Sequence, residues 1–254
     1  MSKNILKKNR ISNVDFYKSK NYVLSKNRYY YEFINKLSDR KIDLRKFKSI
    51  ALLVLRSGGK SYLSTDTQKI KLKKNKIIVI ENIKTNLILD DTKNIILIAA
   101  TKSNKYKTKK LSQFDLSKSY KVKKHWGYEL WINGRNKNFA FKKIYLKKGN
   151  KTSLQYHNKK QETNFLFNGK IFLHYLAKNK KFSDINFNKD IKKKYIKGPS
   201  VIDVEPKTIH RIEAITNLTL FETSTPHLDD VIRLQDDKSR KSGLIKSEHS
   251  KIRA

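Results

Sequence analysis

The chain has no cysteine, which excludes disulfides and thiolate-ligated metal sites. Long apolar runs are missing too. No window approaches the roughly 18 apolar residues of a membrane-spanning helix. The opening MSKNILKKNRISNVDF lacks the apolar stretch of a signal peptide. The expectation is a soluble, cytoplasmic protein with no membrane partner. Negative charge is scarce: 22 acidic residues stand against 59 lysines and arginines, for a formal net charge of +37. The excess is nearly all lysine and runs along the whole chain. A solvated lysine-rich surface accounts for it, with long-range attraction of anionic ligands as a consequence. Zinc-finger spacing, an aromatic RNP signature and a helix-turn-helix pattern are all missing, so a nucleic-acid partner is not expected.

What is present is mostly strand-like. In the first half, SIALLVL (49–55), KIIVI (76–80), NLILD (86–90) and NIILIAA (94–100) are short, β-branched and separated by turn residues. Before them, Tyr30, Phe33, Ile34 and Leu37 fall at helical spacing, which predicts a short helix over 25–38 capped by Ser25. Residues 101–119 are polar with little periodicity and read as a linker. The second half continues with strands at 139–146, 152–157, 164–167, 170–176, 200–204, 211–215 and 218–223. Asn168-Gly169, between NFLF and KIFLHYL, predicts a two-residue hairpin with a type I′ turn. The stretch PHLDDVIRLQDD (226–237) suits a short helix or an extended strap. Strands this short and numerous predict an all-β barrel or sandwich. The predicted division is 1–115, 116–241 and a polar tail, 242–254.

All six histidines lie beyond residue 124, so a histidine-ligated metal belongs to the second half. Strand alternation projects Gln155 and His157 to one face. Glu162 follows closely enough to open a neighbouring strand, and His210 stands at the end of another. Two imidazoles, a carboxylate and an amide oxygen suit a divalent ion. As residues alone, they equally suit polar positions on a hairpin. His174 alternates with Phe172 and Leu176 and reads as structural.

The segment from Gly149 to Gly169 resembles the first cupin motif, with His157 and Glu162 in place and Gln155 where the first histidine stands. EPKTIHRIEA resembles the second motif, with His210 as the remaining ligand. SLQYHNKKQE, HWGYELW (125–131), HRIEA (210–214) and DDVIRLQDDKSR (229–240) are similar to the type II mannose-6-phosphate isomerase cupin domain. Their order is HWGYELW, SLQYHNKKQE, HRIEA, DDVIRLQDDKSR, and the resemblance spans about residues 118–241. The chain departs in HNKK, where Asn158 and Lys159 stand for a second histidine and an arginine. It departs again at Ala214, which replaces an asparagine.

The resemblance implies an all-β cupin (jelly-roll) barrel. The first 115 residues would then be a degenerate second cupin without ligands, making the chain bicupin-like. It implies a divalent metal on Gln155, His157, Glu162 and His210: zinc first, with manganese, iron, cobalt or nickel as alternatives. The implied activity is aldose–ketose isomerisation of a phosphorylated sugar. A cupin of the same lineage with another reaction or a binding role is the alternative. Lys151, Arg211 and Glu213 are the expected catalytic residues. Arg211, Arg233 and Arg240 are the expected phosphate ligands, since guanidinium grips phosphate bidentately. A homodimer is a further expectation of the resemblance.

Overall fold

The computed structural model describes residues 5–245, apart from 7–9, 14–19, 26–27, 37–39, 91–92, 104, 106, 134–135, 238–239 and 241. Contacts divide the chain into two units that interleave in sequence. One holds Asp15–Tyr120 and Leu130–Lys142; the other holds Met1–Val14, Lys121–Glu129 and Lys143–Ala254. The first is called the N-terminal unit below and the second the C-terminal unit.

In the N-terminal unit a four-stranded sheet faces a six-stranded one. Ile42, Leu63 and Leu87 from the small sheet share a core with Ile34, Ile50, Ile78 and Ile96 from the large one. The predicted helix over 25–38 is not found. Its described part is the strand Tyr30–Lys36, lying between Asn94–Thr101 and Lys20–Ser25. The reason is two-sided burial. Tyr30 packs on Phe47 and Tyr31 on Phe141, with ring centroids 4.9 and 5.6 Å away. Consecutive residues that both find a core need a strand's alternation, and the helical spacing was a subset of that apolar run. The predicted linker is also partly strand: Lys110–Asp115 pairs with Lys76–Glu81.

In the C-terminal unit a seven-stranded sheet faces a six-stranded one. The six-stranded sheet runs Ile191–Lys197, Lys170–Leu176, His210–Ala214, Leu154–Tyr156, Val231–Gln235, Gly243–Ile245, antiparallel throughout. Val231–Gln235 settles the 226–237 stretch as an extended strap. The seven-stranded sheet includes Glu162–Asn168, flanked by Ser200–Val204 and Leu218–Ser224.

The predicted Asn168-Gly169 hairpin is not formed. Glu162–Asn168 and Lys170–Leu176 belong to different sheets, and the chain crosses between them at Gly169. Gly169 has φ +97°, and a Cβ there would meet Leu218 Cβ at 2.5 Å. Asn168 lacks the positive φ of a type I′ turn; its side-chain oxygen accepts the Thr219 backbone N–H at 2.9 Å instead. A corner that must pass so close to a core leucine selects glycine as firmly as a hairpin does.

The interior of this unit is layered. Cα partners in antiparallel strands share a face. The deepest layer of the six-stranded sheet is Ile196, Ile171 and Ala214; the next is Lys194, Leu173 and Ile212. Leu166 and Leu220 oppose them from the other sheet, and all but Lys194 belong to one apolar cluster. The next layer toward the open end carries His210.

Candidate metal centre

Three strand starts or ends deliver the donors. His157 directly follows Leu154–Tyr156, Glu162 opens Glu162–Asn168, and His210 opens His210–Ala214. Gln155 and His210 are direct partners in the six-stranded sheet. Glu162 comes from the opposing sheet, not from the hydrogen-bonded neighbour that sequence spacing suggested. The three ionisable donors are buried, and their ligand atoms all lie within 4.8 Å of one another. His157 Nε2 is 3.5 Å from Glu162 Oε2, and His210 Nε2 is 3.3 Å from Glu162 Oε1.

The outer nitrogens decide what the inner ones can do. His157 Nδ1 lies 2.7 Å from the Asp230 carbonyl oxygen, and His210 Nδ1 lies 3.0 Å from that of Thr208. A carbonyl only accepts, so each Nδ1 carries the hydrogen. Each neutral ring then turns its Nε2 lone pair toward a carboxylate oxygen, placing acceptor against acceptor. His157 Nε2 is buried without a hydrogen-bond partner. The backbone carbonyl on Nδ1 is the arrangement that orients imidazole for a metal. The residues therefore fit a divalent cation: two Nε2 lone pairs, a carboxylate, and the Gln155 carboxamide 3.4 Å from His210 Nε2. Rotating that carboxamide by 180° presents its oxygen in place of its nitrogen.

Electrostatics add a residue that sequence spacing did not single out. Lys160 is buried, and its Nζ donates to Glu162 Oε2 and, at 2.8 Å, to Glu222 Oε1. Asn164 Nδ2 donates to Glu162 Oε1 at 3.0 Å, so both oxygens of the donor carboxylate are held. Burial pushes Glu162 upward, but the Lys160 ammonium, with the two imidazoles, holds it well below the usual carboxylate range. Burial lowers His210 and favours its neutral, ligating form; the Glu162 carboxylate opposes this and does not prevail. Asp230 fixes the loop that carries these groups. Its carbonyl takes His157, and its carboxylate accepts the backbone N–H groups of Lys159 and Lys160.

Glu222 was legible in principle. It follows Leu218 and Leu220 at period two, and both leucines are in the core. Lys160 carried no signal among so many lysines.

The other expected site residues are placed differently. Strand alternation from His210 sends Arg211 and Glu213 to the outer face. There Arg211 Nη2 donates to the Gln235 carbonyl at 3.0 Å and lies 3.3 Å from Asp237. Glu213 pairs with His174 at 2.6 Å and Lys193 at 3.2 Å, which gives His174 its structural partner. Lys151 bridges to Glu213 and pairs with Asp237 at 3.2 Å. These three expected catalytic residues therefore face away from the donors. Arg240 is tied to Asp236 at 2.6 Å. Arg233 alone among the expected phosphate ligands joins the donor row, as the register partner of Gln155.

Three solved structures share this arrangement of paired sheets. The E. coli protein Ylba superposes with a TM-score of 0.61 over 82% of this chain and 83% of its own, at 7% identity. Bacillus subtilis oxalate decarboxylase gives 0.58 over 81% and 71%, at 10% identity. Lactobacillus farciminis oxalate decarboxylase, solved as a formate complex, gives 0.57 over 81% and 79%, at 9% identity. The chain is a bicupin. At these identities the likeness establishes the fold. No family model matches this bicupin, and no curated protein does. The Bacillus enzyme is described with Mn(II) centres. Among the described residues, the bicupin's only cluster of histidines and acids suited to a metal is His157, Glu162 and His210, in its C-terminal unit.

Proposed function

We propose that the C-terminal unit is a metal-dependent aldose–ketose isomerase of a phosphorylated sugar. The observation that carries this reading is the donor geometry: two Nε2 lone pairs aimed at one buried carboxylate, with a carboxamide beside them in place of a third imidazole. A divalent ion held there, zinc or manganese first, polarises the substrate's carbonyl and hydroxyl oxygens and stabilises an enediolate. Everything else falls to the chain. Lys160 and Asn164 fix the direction of Glu162. Lys160 and Glu222 form a buried acid–base pair in contact with that donor. Arg233 supplies positive charge along the donor row.

A second reading, a cupin of the same lineage with a different reaction or a binding role, has one observation in its favour. Lys151, Arg211 and Glu213 lie on the outer face and leave proton transfer to other groups. Metal-loaded protein incubated with fructose 6-phosphate or mannose 6-phosphate in deuterated water separates the two. NMR should show interconversion with deuterium at the carbon next to the carbonyl. Neither interconversion nor exchange would sink the isomerase reading and leave the second.

A further inference from the structure

The layer that holds the donors continues past them on both sides. Register pairing gives a transverse row on the inner face: Lys192, Tyr175, His210, Gln155, Arg233. The face is secure, because Ile196, Ile171 and Ala214 in the same alternation are core residues. Moving from that core to the open end, aliphatic side chains give way first to Lys194 and then to this row. Burial grades across it. Arg233 and His210 are buried, Tyr175 is half-buried and Lys192 is exposed. The Lys192 end is therefore where the row opens to solvent.

The outer face of the same strands is the contrast. There His174, Glu213, Lys193, Arg211, Asp237 and Lys151 satisfy one another in printed pairs of 2.6–3.3 Å. On the inner row, Lys192 forms no salt bridge and the Tyr175 hydroxyl has no hydrogen-bond partner among the described residues. Asp190, the acid that senses Lys192, already pairs with Lys180 at 2.7 Å. A cation and a hydroxyl stand uncommitted beside two metal donors.

We infer that Lys192 and Tyr175 form an anion subsite at the mouth of the C-terminal barrel, taking the phosphate of the sugar whose carbonyl end meets the donors. This rests on the function proposed above and deepens it. Adjacent strands are about 4.8 Å apart, so Lys192 lies about 10 Å from His210 across the sheet. That separation suits a ligand carrying its phosphate at the end opposite its carbonyl. The subsite thus selects terminal phosphomonoesters of extended sugars and rejects short dicarboxylates, which would leave Lys192 out of reach. Tyr175 contributes a neutral donor between the two ends.

The test uses the full chain loaded with Mn(II), with fructose 6-phosphate and inorganic phosphate as probes. Paramagnetic relaxation of the 31P signal reports phosphate held near the ion, and calorimetry of the metal-free protein reports binding without it. In the wild type, 31P relaxation should be enhanced. Lys192→Gln should abolish that enhancement and weaken fructose 6-phosphate binding about tenfold, the loss of one charge-assisted hydrogen bond. Tyr175→Phe should weaken it a few-fold. Lys193→Gln, one residue away on the outer face, should change nothing, and Mn(II) content should be equal in all four proteins. Equal phosphate binding in the wild type and Lys192→Gln, or none in the wild type, overturns the subsite. Lys192-dependent phosphate binding without isomerisation keeps the subsite and removes the isomerase. Isomerisation that ignores Lys192 does the reverse.

Discussion

Both units bury carboxylates, and they do so in opposite ways. In the N-terminal unit, Glu81 accepts from the Ser49 hydroxyl at 2.8 Å and the Asn136 amide at 2.6 Å. Asp90 accepts from Ser61 at 2.7 Å and the Lys60 backbone N–H at 2.9 Å. Neutral donors saturate these acids and leave nothing for a ligand. In the C-terminal unit, Glu162 meets an ammonium, an amide and two imidazole lone pairs, and Glu222 shares the same ammonium. Burial of an acid is therefore no sign of a site. What marks one is an acceptor aimed at another acceptor with only a cation able to reconcile them.

The sharpest way to break this contrast is to remove the donors. The His157→Ala, His210→Ala double variant should lose bound zinc or manganese by elemental analysis after dialysis. Its affinity should fall by more than the roughly 10–100-fold typical of supporting groups. Glu81→Gln in the N-terminal unit should leave metal content unchanged. Equal metal in wild type and double variant sinks the centre.

Next in size is Lys160. Lys160→Met strands two buried carboxylates and should cost about 3–5 kcal/mol in urea unfolding. Adding Glu222→Gln to it should recover much of that loss. A cost of the single variant below about 1 kcal/mol would mean that Lys160 is not the counter-charge.

A smaller effect is expected from pH. His210 is held neutral in the fold, with its pKa lowered. Below about pH 6.5 the unfolded chain takes up a proton that the folded one refuses, so stability falls on acidification. Glu162 is also lowered, so its contribution is present above about pH 4.3 and is lost as pH falls through its lower folded value. The stability difference between pH 7.5 and 5.5 should shrink in His210→Gln; an unchanged difference would contradict a neutral His210. Smallest is the outer face. Glu213→Gln breaks a partly exposed cluster and should cost less than about 1 kcal/mol, with metal content intact. A measurable loss of metal there would join the two faces.

The donors were legible because their chemistry depends on residue type and short spacing. Gln155, His157 and Glu162 lie close in sequence, and only His210 needed the fold to bring it near. Direction was harder to read. Arg211 sits next to a donor in sequence and behind it in space, because a strand turns over at every residue. Asn168-Gly169 was misread because the same glycine conformation serves a hairpin and a sheet-to-sheet corner, and the choice lies with Leu218, about fifty residues on. The helix over 25–38 was misread because a strand buried on both sides contains every shorter apolar spacing within it. Lys160 was hidden by composition, since one buried lysine looks like any exposed one.

Glu162 stands on one sheet of its barrel, and Gln155 and His210 stand on the other. A cation gripped by all three is a tether across the barrel mouth, in a chain with no cysteine to form a covalent one. Unlike a disulfide, the tether answers to chelator and proton instead of reductant. Its release would loosen the rim while the aliphatic layers beneath stay shut. Loading with metal should therefore protect the amides of Leu154–Tyr156 and His210–Ala214 from hydrogen exchange before it alters those of the deeper strands.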